Sequence, residues 1–380
     1  LRPRRRSPIF LLAVVLIGAW PTAAAGFDPA VHWAAPIPPQ GPPPPGFADF
    51  EASLLPERCG ACHPDQFDDW RTARHAVAMG PGVTGQLNPP WLSNRAAEGC
   101  RNCHAPLAEQ RRWKIDGPDA TIPNDLYDAE LAAVGVSCAG CHVRRHVRYG
   151  PTPRQPSSDA DLPHGGFVAV ADFGSADFCK PCHQFPPDGR RIAGKLLEAT
   201  YDQWKASRFA DDNIACAGCH MPDRRHLWRG IHDREMTRRG VAITPRLADG
   251  LLTVIVANDA TGHHFPTYVT PQVAVRAYAG KRSLGEKWIG WKVPLDLRGE
   301  EYDTRIPAGD ATTFFFPAPG VMTARVVVTV YPDEFYHRFF AALAANPPVG
   351  VDRGAMEAAR DETGASAYVL WEKEVVRVRR

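Results

Sequence analysis

No cysteine of this chain stands outside five short pentapeptides, and none lies beyond Cys219. That pattern argues against a disulfide framework, in which thiols are scattered along loops and paired with one another. An excess of charge of one sign is also missing: 44 Lys and Arg oppose 42 Asp and Glu, for a formal net charge of +2. A basic nucleic-acid surface does not fit that balance. Long apolar runs are scarce. After residues 9–20 no segment is apolar over the about 20 residues that a bilayer helix needs.

What is present is a repeated pentapeptide. Cys59, Cys62 and His63 form the first copy, and Cys100, Cys103 and His104 the second. Cys138, Cys141 and His142, then Cys179, Cys182 and His183, then Cys216, Cys219 and His220 complete the set. All ten cysteines are consumed, and each second cysteine is followed at once by histidine, though the chain has only 14 histidines. C-x-x-C-H attaches a c-type haem: the two thiols add covalently to the porphyrin and the histidine is its proximal ligand. A zinc site pairs two knuckles, and five leave one over. A thioredoxin-like redox pair occurs once and asks for no histidine. The spacing therefore predicts five covalently bound c-type haems, with iron held by His63, His104, His142, His183 and His220.

Along the chain, four arginines among residues 2–6, the apolar run 9–20 and three alanines at 23–25 have the layout of a secretory signal peptide over 1–25. Its removal takes the formal charge to about −2, and the protein is expected to be exported, to the periplasm or beyond, with no membrane span left. Residues 26–46 are proline-rich and read as an extended tether. Residues 47–240 carry every haem motif, at intervals of 41, 38, 41 and 37 residues. This half should be mostly irregular and helical, with porphyrin as much of its buried apolar mass.

Residues 241–380 change character. β-Branched and aromatic runs at 251–256, 272–278, 311–316, 325–330 and 367–378 predict an antiparallel β-sandwich-like domain. Helices are expected at 333–345 and 352–362. The fold class is thus α+β overall, a haem-bearing domain followed by a β-domain.

Distal ligands are sought among the other nine histidines. A repeat helps: Phe67, Trp70 and His75 align with Tyr201, Trp204 and Phe209 on two amphipathic helix turns. His75 is thus a distal candidate, whereas Phe209 can only pack. His164 sits in a glycine loop, and His226 and His232 follow the last motif. His263, beside His264, lies on a turn of the second half and is expected to cap a haem of the first, locking the halves together. His32 and His337 are expected to be surface or hydrogen-bonded residues, and Met79 and Met221 are alternative ligands. The arginines after the motifs (Arg144, Arg145, Arg148, Arg190, Arg191, Arg224, Arg225) suit either haem propionates or a solvated basic face.

With these residues in view, the chain resembles the multihaem c-type cytochromes grouped with the tetrahaem cytochrome of ammonia oxidation and with hydroxylamine oxidoreductase. The resemblance rests on the five motifs, on Trp70 and His75 after the first, and on Gly262, His263, Phe265 and Pro266, and covers about residues 55–270. It implies electron transfer through closely stacked haems, mostly with two histidine ligands, between redox donor and acceptor proteins. Phe209, standing where a ligand would fit, leaves room for an alternative: a reductase or oxidase of a small nitrogen or sulfur oxyanion at one open haem. A third reading is self-association into an extracellular cytochrome filament.

Overall fold

Proline and left-handed turns keep the helices of the first half short. In the computed structural model, which describes residues 27–87, 92–118, 120–153 and 163–378, the motif cysteines ride on or beside short helices. These are Pro56–Gly60, Asn94–His104, Cys138–His142, Lys180–His183 and Cys216–His220. Pro56 and Pro64 each open a helix, where a missing N–H costs nothing. The segment 1–25, read above as a signal peptide, lies outside the described residues.

The proline-rich stretch is packed against the chain in place of running free. The Ile37 N–H donates to the Pro106 carbonyl at 2.9 Å, and the Ala108 N–H donates to the Ile37 carbonyl at 3.0 Å. The Ile37 side chain is 1% exposed among Leu107, Leu131, Ala139 and Val143. Prolines forbid a central strand but not one apolar residue bridging an edge. Further bonds hold the strap beside it, among them the Gln40 N–H donating to the Glu109 carboxylate at 2.7 Å.

The second half holds two antiparallel sheets. One runs in the order Tyr302–Asp303, Arg282–Lys292, Gln272–Ala279, Thr323–Tyr331, Tyr368–Val376; the other in the order Ala311–Pro317, Leu251–Ala257, Ala242–Ala248. Alternation along Leu251–Ala257 sends Leu252, Val254 and Val256 inward. They share a core with Val273, Val275, Ile289, Phe316, Val326 and Val328 from the other strands. Helices Glu334–Ala345 and Arg353–Ala365 pack on one another through Phe340, Ala344, Met356 and Ala359. All five strand expectations and both helix expectations are met. The strands Ala242–Ala248 and Arg282–Lys292 are additions, concealed by the Pro245 and Gly285 interruptions that ordinarily demote a strand.

The halves are joined by side chains. Ile192 of the first half is buried with Val269, Trp291, Val293 and Phe335 of the second. Lys195 donates to the Asp303 carboxylate at 2.7 Å. Among the described residues no helix is long and apolar enough to cross a membrane.

Candidate haem sites

Each motif histidine must present an unprotonated Nε2 to a metal, and that requires Nδ1 to carry the proton. At three of the five motifs the backbone arranges this. Nδ1 of His104 lies 2.8 Å from the Ala78 carbonyl, that of His142 2.7 Å from Tyr149, and that of His220 2.6 Å from Arg229. A carbonyl only accepts, so the proton sits on Nδ1 and Nε2 is left as the ligating nitrogen. Burial drives His142 down to about 4 and lowers His104 and His220, so these imidazoles are neutral at pH 7. Neutral imidazole is the ligating form.

The candidate distal histidines stand at a distance that fits an iron between rings. Two imidazoles ligating one metal, each about 2 Å from it, place their ring centres roughly 6 Å apart. His75 and His183 are 6.3 Å apart, His142 and His226 6.1 Å, and His220 and His263 6.3 Å. Burial lowers His75 to about 3 and His263 to about 4, and Nδ1 of His263 lies 3.0 Å from the His264 carbonyl. His164 lies within electrostatic range of His63. The Glu51 carboxylate accepts the His164 N–H at 2.8 Å, holding that residue in a left-handed backbone conformation with φ 45°. The residues present therefore fit covalently held haem at the motifs.

The distal set differs from expectation at two points. His232 is engaged elsewhere: its Nε2 lies 2.9 Å from the Asp333 carboxylate. His104 has His75 and His183 as its neighbouring histidines, and those two face one another. His32, His146 and His337 hold other partners. Nε2 of His32 is 2.8 Å from the Cys141 carbonyl, that of His146 is 2.9 Å from Gly41, and Nδ1 of His337 is 3.0 Å from Arg360. His32 is hydrogen-bonded as expected but only 4% exposed, ringed by Phe27, Phe173, Phe178 and Tyr149.

Thiols of different motifs also meet. Cys59 and Cys138, Cys103 and Cys182, and Cys179 and Cys216 each lie within interaction range of one another. Cys141 lies within electrostatic range of Cys179 and Cys182. Porphyrins carried on these thiols would lie close to one another, since the fourth motif adjoins the second, third and fifth. Trp228 stands between two distal rings, 4.8 Å from His75 and 5.1 Å from His226. Sequence reasoning missed it; its one signal is a tryptophan two residues after His226.

The arginines work mainly on the chain itself. Arg144 donates to the carbonyls of His32, Gly140 and Val143, closing the end of the third motif helix. Arg225 forks onto Asp69, and Arg224 donates to the Thr152 carbonyl.

No family model matches the chain. A cytochrome c-552 of Aliarcobacter butzleri (strain RM4018) is 24% identical over 188 residues, 46% of this chain and 36% of that protein. The chain thus aligns with little more than a third of that relative. The crystal structure of a penta-heme cytochrome c552 from Thermochromatium tepidum shares the fold, at 16% identity and a TM-score of 0.60, over 86% of this chain and 99% of that one. With the motifs and the ring geometry, these likenesses support a multihaem c-type cytochrome carrying covalently bound haem. They do not reach the narrower grouping with hydroxylamine oxidoreductase.

Proposed function

We propose that this chain is an exported pentahaem cytochrome that passes electrons along a row of closely spaced c-type haems between a redox donor and an acceptor protein. The observation that carries the reading is the set of three histidine pairs 6.1–6.3 Å apart, each joining a motif histidine to a residue outside the motifs. Bound haem supplies one-electron chemistry. The chain's part is to hold each imidazole neutral and aimed, to keep the motifs adjacent, and to bury them from water. The division at about residue 240 separates a haem-bearing domain from a β-domain that contributes His263. Expression in a host that matures such cytochromes tests the proposal: a coloured product whose mass exceeds the polypeptide by five haems is expected, and a colourless one refutes it.

A second reading rests on His104. The phenols of Tyr268 and Tyr336, both raised by burial, lie within electrostatic range of Arg74, and Tyr336 also of Cys100 in the same motif. A haem held there without a second imidazole would be open to a small anion, with a guanidinium and two phenols as donors. Carbon monoxide binding to the reduced protein separates the two readings.

A further inference from the structure

The aligned segments 67–75 and 201–209 are alike in more than sequence. In the first, the Trp70 indole N–H donates to the Val136 carbonyl at 2.9 Å, two residues before Cys138. In the second, the Trp204 indole N–H donates to the Ile214 carbonyl at 2.9 Å, two residues before Cys216. The backbone repeats the arrangement: Val136 N–H donates to the His75 carbonyl at 3.0 Å, and Ile214 N–H to the carbonyl of its counterpart Phe209 at 2.7 Å. Gly135 and Asn213, each three residues before a cysteine, both take a left-handed turn, with φ of 74° and 56°. The pentapeptides that follow are identical.

The third residue of each aligned segment reaches the opposite ligand. Asp69, 7% exposed, accepts the backbone N–H of His226 at 3.1 Å while Arg225 forks onto the same carboxylate. Its counterpart Gln203 accepts the backbone N–H of His264 at 2.9 Å and the Thr267 hydroxyl at 2.8 Å, beside His263. Each helix therefore holds one haem site from both sides: the tryptophan sets the proximal motif, and the neighbouring acceptor sets the distal strand.

We infer that Asp69 and Gln203 are matched positioning residues for the distal histidines His226 and His263, and that their difference in charge separates the potentials of the two haems. The inference rests on the haem reading above. An anion close to an iron favours its ferric, more positive state and so lowers the midpoint potential. At the third motif Asp69 is a buried anion whose charge the solvent-exposed Arg225 guanidinium offsets only in part, and at the fifth Gln203 carries none. Without the acceptor, the distal backbone loses its anchor at His226 itself in one case and at the residue after His263 in the other.

The test uses the haem-loaded full chain, with haem counted by pyridine haemochrome and with potentiometric titration followed by visible and electron paramagnetic resonance spectra. Asp69→Asn keeps an acceptor oxygen, so the parent spin states should persist while one haem's midpoint moves upward. Gln203→Glu should move a different haem downward. Asp69→Leu, which removes the acceptor, should turn part of one low-spin signal high-spin, and Asp69→Asn should not. Five haems with every midpoint unmoved in both Asp69→Asn and Gln203→Glu overturns this inference and leaves the haem reading standing. A protein without haem overturns both.

Discussion

The imidazole of His263, carried on a turn of the β-domain, faces that of His220 in the last motif with ring centres 6.3 Å apart and planes 14° from parallel. Forty-three positions separate them in sequence. On the proposed reading, the second half would complete a haem site whose thiols lie wholly in the first.

Replacing His263 with alanine should remove one sixth ligand and nothing else from the motifs. Expected is conversion of one low-spin haem to high-spin in the electron paramagnetic resonance spectrum, with the haem count unchanged. His337→Ala, at an exposed helix position, is the control and should leave the spectrum as it was.

His104 stands apart from the three ring pairs. If the oxyanion reading holds, the dithionite-reduced protein should bind about one carbon monoxide per chain, read from the difference spectrum, on the ligand count for c-type haem. Uptake near zero would mean that another side chain closes that haem, and would remove the oxyanion reading.

Acid should loosen the contact between the halves. Burial pushes the Asp303 carboxyl up, but hydrogen bonds from Arg305 and Lys195 outweigh it and hold the group at about 2. Its folded value is below the unfolded one of about 4, so its stabilisation is present above that pH and fades as pH falls toward 2. After discounting for solvent, about 1–2 kcal/mol is at stake. Urea unfolding of the parent and of Asp303→Asn should differ by that amount at pH 6 and converge below pH 3.

The sandwich core should govern how firmly His263 is held. Ile289 is fully buried, and Ile289→Ala is expected to cost about 2–5 kcal/mol. Far-ultraviolet circular dichroism during urea unfolding gives the cost. A high-spin fraction should emerge at lower urea than in the parent, because the turn bearing His263 depends on those strands.

Much of this was already legible before folding. Paired thiols followed by histidine read as a haem attachment, since the chemistry needs only five consecutive residues. The β-runs were equally plain, because a strand buried on one face writes its period into the chain. Residues such as Asp69 and Gln203 carried only a faint signal, their place in a repeat, and nothing in either name shows which N–H it will accept. The packing of the proline-rich strap was hidden altogether, for composition says that such a stretch cannot make regular structure and is silent about where one isoleucine will lodge.

The linear chain by itself determined which atoms can bind porphyrin and how many times. Which histidine faces which, and which thiols lie side by side, only the tertiary structure decided. Proximal ligands are adjacent to their cysteines through covalent bonds, whereas distal ones arrive across 43 to 108 residues of intervening chain. That approach is settled by packing, which no local pattern encodes.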